Sequence, residues 1–258
     1  MSLYPVLLGR LARPDLFSDL AGIALGGKAW SGAEFDVLNP STGALLARLP
    51  DMGPLETRDA IDRAAEAQGV WQSLPAKDKS AVMRRWHQLI VLHSDDLATI
   101  LTAEMGKPLT EAKSEVAHAA AYVQWYAEEA NRIYGETISA PSNDRRMLVI
   151  KQPVGVVGTI TPWNFPASMV ARKISPALAA GCAIVLKPAE QTPLVAGAMF
   201  VLARLAGFPE GALNLIYASH GADVGAELCT NARIRKISFT GSTEVGRLLM
   251  SQCAPQIK

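Results

Sequence analysis

Alanine and apolar positions recur at helical spacing between residues 56 and 70, at Ala60, Ile61, Ala64 and Ala67, and predict a helix with one buried face. A second helix is predicted over 80–92, where Val82, Met83, Trp86, Leu89 and Ile90 share a face. A third helical run stops at Met105-Gly106-Lys107-Pro108, because glycine followed by proline ends a helix. A long helix fits 109–134 and is expected to close at Gly135. Upstream, Gly26-Gly27-Lys28-Ala29-Trp30 reads as a turn between short apolar pieces, and Asn39-Pro40-Ser41-Thr42-Gly43 is a dense turn signal.

Residues 136–152 break this pattern. Pro141, Ser142, Asn143 and Asp144 separate two strand-like stretches, which predicts a protruding hairpin. The rhythm then becomes strand, turn, helix. Strands are predicted over 154–160, 183–186, 212–217 and 234–239, and helices over 167–180, 193–206, 222–229 and 242–252. Short apolar strands alternating with helices imply βαβ units and a doubly wound parallel α/β sheet.

Hydrophobic residues make up 49% of the 258, enough for one large core or two smaller ones. The 25 basic and 24 acidic residues leave a net charge of +1, which offers no electrostatic footprint for nucleic acid or an anionic membrane. Cys182, Cys229 and Cys253 are too widely spaced for a disulfide framework or a zinc site and fit a reducing compartment. The first apolar run is short and broken by Arg10, and no stretch has the length of a membrane span. These features predict a cytoplasmic protein. His87, His93, His118 and His220 fall on different predicted elements without metal-ligand spacing.

Ligands of a doubly wound sheet bind beyond the carboxyl ends of its strands, and three predicted turns lie there. In Thr161-Pro162-Trp163-Asn164-Phe165-Pro166 two prolines fix the backbone around Asn164. Such an amide suits a developing oxyanion, and it suits the cap of the next helix equally well. In Lys187-Pro188-Ala189-Glu190 the carboxylate suits ribose hydroxyls and the ammonium a ribose or phosphate oxygen; a solvated surface pair is the plainer reading. Phe239-Thr240-Gly241-Ser242-Thr243 runs from a strand into a helix, where free N–H groups suit a pyrophosphate or Ser242 merely caps. No G-x-G-x-x-G, Walker motif or G-x-S-x-G is present.

Taken in order, these segments resemble the aldehyde dehydrogenase family: Thr161 to Pro166, then Ala179-Ala180-Gly181-Cys182 leading to Lys187-Pro188-Ala189-Glu190-Gln191-Thr192-Pro193, then Phe239 to Thr243. The resemblance runs from about Gly26 to Lys258. Glu104-Met105-Gly106-Lys107-Pro108-Leu109, Arg132-Ile133-Tyr134-Gly135-Glu136 and Met169-Val170-Ala171-Arg172-Lys173 are similar to succinate-semialdehyde dehydrogenases.

The resemblance implies oxidation of an aldehyde, succinic semialdehyde, to its acid with NAD, preferred, or NADP. It implies that Asn164 supplies the oxyanion-hole amide. Trp163, Asn164, Lys187, Glu190, Gly221, Gly225, Gly241 and Ser242 are then cofactor contacts, and Arg172 holds the substrate carboxylate. It divides the chain into an N-terminal helical part of the cofactor domain (1–135), an oligomerisation hairpin (136–152) and an incomplete Rossmann-like NAD(P)-binding domain (153–258), and it implies a homo-oligomer. The family's general-base Glu, in a Glu-Leu-Gly-Gly motif, and its nucleophilic Cys are expected beyond Lys258, so these residues alone are expected to be inactive. The alternatives are a non-catalytic nucleotide-binding or subunit-pairing protein, or the product of a broken gene.

Overall fold

The structure, a computed structural model, describes residues 3–26 and 28–258; Gly27, within the first expected turn, lies outside them. Three short helices open the chain: α1 (Pro5–Leu8), α2 (Pro14–Phe17) and α3 (Leu20–Leu25). An antiparallel pair follows, β1 (Glu34–Leu38) and β2 (Leu45–Pro50), joined through the Asn39–Gly43 turn. Next come α4 (Pro54–Ser73), α5 (Ala76–Leu92), α6 (Ser94–Met105) and α7 (Leu109–Glu129). Gly106 ends α6 in the left-handed conformation that glycine adopts freely.

The long helix ends five residues before the expected stop. A 3-10 turn over Ala130–Arg132 follows it. Ala130 is the last buried position, and from Asn131 to Gly135 every residue is exposed, so no apolar face remains to hold a further helical turn. Gly135 serves instead to let the backbone pass the Val149 carbonyl, which a Cβ there would overlap. The hairpin forms as expected from β3 (Glu136–Ile138) and β4 (Met147–Val149), and all six strand residues are exposed.

The remaining elements are β5 (Val156–Ile160), α8 (Pro166–Ala179), β6 (Ile184–Lys187), α9 (Leu194–Ala206), β7 (Leu213–Leu215), α10 (Gly221–Thr230), β8 (Ile234–Phe239) and α11 (Thr243–Cys253). The four strands form one parallel sheet in the order β7-β6-β5-β8. Helices α8 and α9 cover one face with α5, α6 and α7 behind them, while α4 and α10 cover the other and α11 packs on α10. Strand β6 is buried along its whole length, as a strand covered on both faces must be.

Candidate active site

The chain steps outward from β5 to β6 and β7, then returns to the other side of β5 for β8. The crevice between the carboxyl ends of β5 and β8 is therefore the topological switch point, where open parallel sheets bind ligands. Two of the three singled-out turns meet there. The Thr240 N–H donates to the Ile160 carbonyl at 3.2 Å, and Lys173 Nζ, on α8, donates to Thr240 Oγ1 at 2.6 Å. Burial, aided by the neighbouring Arg172 charge, pulls the Lys173 ammonium below its ordinary range.

Trp163, Asn164 and Phe165 are exposed at the crest of the first turn. Asn164 does not cap α8, which corrects that expectation. The N-cap position is Phe165, whose side chain accepts nothing. Glu115, reaching in from α7, does the capping: its Oε1 accepts the N–H groups of Ala167 at 2.9 Å and Ser168 at 3.1 Å. Its other oxygen takes Lys107 Nζ at 2.5 Å. Lys107 Nζ also donates to the Asn164 carbonyl at 3.2 Å and lies 4.0 Å from the Phe165 ring centroid. The Asn164 side-chain amide has no hydrogen-bond partner among the described residues.

At the end of β6, Lys187 and Glu190 are ion-paired at 2.8 Å, with the lysine buried and the carboxylate partly open. Burial works against the charge on Glu190, yet the hydrogen bond and charge of Lys187 hold its carboxyl below the ordinary value. Gly221 opens α10 beside this pair; a Cβ there would lie 3.2 Å from Lys187 Nζ. Gly225, one turn further, is buried on the side of α10 that faces Leu249. In the third turn Ser242 does cap α11, its Oγ accepting the Val245 N–H at 3.2 Å. A Cβ at Gly241 would come within 2.5 Å of the Phe239 ring, so a larger residue there would have to displace the ring. Arg172 is exposed on α8 with no ion-pair partner among the described residues.

Sequence reasoning missed the groups that hold these turns. Glu104 caps α9, accepting the N–H groups of Leu194 at 2.6 Å and Val195 at 2.9 Å. Asp51 accepts the Ser219 N–H at 2.8 Å and its hydroxyl at 2.5 Å, shaping the turn into α10. Carboxyl groups thus fill the N-termini of α8 and α9 from within. Among the described residues no such group meets the starts of α10 and α11, and α11 has its own Ser242 cap. All three thiols are free and buried. A cavity of about 270 Å3 lined by Arg63, Phe200, Arg204 and Asn214 opens at the start of β7, at the other end of the sheet from the crevice. The described residues include no cluster of potential metal ligands.

The switch point, its two turns and the paired Lys187 and Glu190 all lie within residues 28–258, which match the profile of the aldehyde dehydrogenase family. The chain belongs to that family. This aldehyde dehydrogenase chain is 69% identical over its whole length to a probable succinate-semialdehyde dehydrogenase [NADP(+)] of Sinorhizobium fredii, and covers 52% of that relative. It is 54% identical to the glutarate-semialdehyde dehydrogenase of Pseudomonas putida over 88% of the chain and 47% of the relative. The crystal structure of an NADP dependent enzyme of Escherichia coli superimposes with a TM-score of 0.92 at 50% identity, covering 96% of this chain and 52% of that one. The chain therefore spans about half the length of the relatives it matches. No helix among the described residues is long and apolar enough to cross a membrane.

Proposed function

We propose that these residues form the cofactor-binding and oxyanion-stabilising half of a dehydrogenase that oxidises succinic semialdehyde to succinate. The observation that carries this reading is the Asn164 turn: its backbone is fixed by Lys107 and two prolines, while its side-chain amide is left free at the switch point. A preorganised N–H donor aimed at a carbonyl oxygen stabilises the charge that develops there and needs no reorganisation to do so.

The residues fit a nicotinamide dinucleotide. Glu190 accepts from ribose hydroxyls and Lys187 steadies it. Gly221 keeps the start of α10 open beside Lys187, while Gly225 lets α10 pack closely on Leu249 of α11; Gly241 and the start of α11 would offer N–H groups to the diphosphate, and the exposed Trp163 would line the cofactor site. When bound, the cofactor supplies the hydride acceptor. Of the two dinucleotides we place NAD first, although two relatives carry NADP in their descriptions. A 2′-phosphate would meet the Glu190 carboxylate, and Lys187 is already committed to that carboxylate. Like charges so placed cost several kcal/mol when desolvated. Dissociation constants for both cofactors check this, and tighter NADP binding would reverse the assignment.

Arg172 supplies the substrate preference. Its unpaired guanidinium on the helix leaving the Asn164 turn suits a distal carboxylate, which it grips with two parallel hydrogen bonds. The test is Arg172→Ala in the full polypeptide that carries these residues. We expect kcat/KM for succinic semialdehyde to fall by about tenfold to a hundredfold, the worth of one lost charge-assisted pair, with an uncharged aldehyde little affected. Equal losses for both would leave Arg172 without this role. The β3–β4 hairpin, exposed on every side, pairs subunits of a homo-oligomer. The three reduced thiols suit the cytoplasm.

A further inference from the structure

We propose that the Lys107–Glu115 ion pair is a positioning device. It sets the Thr161–Pro166 turn, and with it Asn164 and Trp163, at the end of β5. The proposal rests on the reading of that turn as part of the active site.

Both members of the pair are buried, with side chains 7% and 1% exposed. A buried ion pair is weak support for stability, because an apolar pair of similar volume usually does as well. What it supplies here is geometry. Lys107 holds the turn from below, through the Asn164 carbonyl and the Phe165 ring. Glu115 holds the exit, through the first two N–H groups of α8, and Ser168 Oγ returns a bond to the Glu115 carbonyl at 3.2 Å. The peptide that carries the Asn164 amide is thus gripped on both sides by one pair of charges joined to each other. Pro162 and Pro166 stiffen the flanks, since the ring fixes φ. No contact of the pair reaches the Asn164 amide itself, which stays free to act.

Fluorine NMR of protein labelled with 5-fluorotryptophan separates positioning from plain stability. The chain has five tryptophans. Trp71 and Trp86 are fully buried in the core and Trp163 is 54% exposed on the turn. Lys107→Met keeps the Glu115 side chain that caps α8, and removes its counter-ion together with the hold on the turn. It should shift or split the Trp163 resonance, assigned with Trp163→Phe, and leave Trp71 and Trp86 in place. NAD affinity measured well below the melting temperature should fall about tenfold, the scale of one charge-assisted bond. Glu115→Gln should move the same resonance, and Lys107→Arg should move it less than Lys107→Met. Overturning results would be an unmoved Trp163 resonance, a common shift of all five, or unchanged NAD affinity in Lys107→Met. Failure of the unsubstituted protein to bind NAD would count against the functional reading instead, and the Trp163 resonance alone would then decide on the clamp.

Discussion

Glu104 is a buried carboxyl group, 2% exposed, whose charge state depends on a contest. Burial pushes its pKa up from 4.5 to about 8, while the bonds from the Val195 and Leu194 N–H groups favour the ionised form and pull the other way. The folded state therefore keeps a proton that the unfolded chain has already released. That contribution to stability is complete below about pH 4.5 and is lost as the pH rises to about 8. Each tenfold change in proton affinity is worth about 1.4 kcal/mol, so the loss is on the order of a few kcal/mol. Urea unfolding between pH 5 and pH 9 should show it. Glu104→Gln should flatten the slope while lowering the baseline by about 1–3 kcal/mol, because one backbone N–H loses its acceptor. A variant with the parent slope would show that Glu104 is not the titrating group. The Lys107–Glu115 pair makes a second prediction of the same kind. Lys107→Met should destabilise by about 3–5 kcal/mol, nearer the lower figure, since Glu115 keeps its two N–H partners. A loss under about 1 kcal/mol, the scale of an exposed pair, would show the site to be wetter than its burial implies.

At the scale of elements, α9 meets the segment after β7 through one glycine. A Cβ at Gly197 would overlap Tyr217 Oη, which donates to the Leu20 carbonyl of α3 at 3.1 Å. Gly197→Ala should cost about 1–3 kcal/mol by overpacking. Tyr217→Phe removes the overlapping oxygen, so the double variant should recover part of that loss. Strict additivity, within about 0.3–0.5 kcal/mol, would mean that the two residues do not meet. The same kind of contact explains how much of this fold was legible in the sequence. Helices α4 and α5 and strands β5, β6 and β8 announced themselves through period and β-branching. Gly106 marked the end of α6, and it is a left-handed cap, as is Gly207 at the end of α9. Helices α1 to α3, of four to six residues, are too short to show a period and are held by tertiary contact. At the site, the turns were readable but their supports were not, because Glu104, Lys107 and Glu115 act across more than fifty residues or in pairs. A signal did exist. Glu104 continues the buried stripe of Leu97 and Leu101 on α6, and Glu115 lies between Ala112 and Ala119 on the buried face of α7. A carboxylate in an apolar stripe needs a partner, and here the partners are helix N-termini.

For the molecule as a whole, the decisive question is whether these 258 residues can oxidise an aldehyde without help. Hydride leaves an aldehyde carbon readily only from a tetrahedral adduct, and a thiolate is one nucleophile that makes it. A competent thiolate needs a lowered pKa, access, and a position next to the oxyanion donor. Cys182 fails on each count. It precedes β6, at the amino end of the strand and so across the sheet from the switch point, it is 3% exposed, and burial pushes its thiol up. Cys229, on α10, is pushed up to about 12 by burial and by its hydrogen bond with Cys253. Both belong to a small apolar cluster with Leu249. The oxyanion donor proposed at Asn164 would have nothing to act on, because among the described residues no thiol is placed to form one. Since such groups act as a unit, loss of the nucleophile typically removes several orders of magnitude of rate. We therefore expect the 258-residue chain to bind NAD and to produce no NADH from succinic semialdehyde above the buffer background. A semialdehyde dehydrogenase from one of the relatives, assayed alongside, sets the scale. Turnover within about a hundredfold of that control, a far smaller deficit than nucleophile loss causes, would overturn the expectation. Its abolition by Cys182→Ala, but not by Cys229→Ala, would then identify a thiol that is more open and more acidic than its burial before β6 allows.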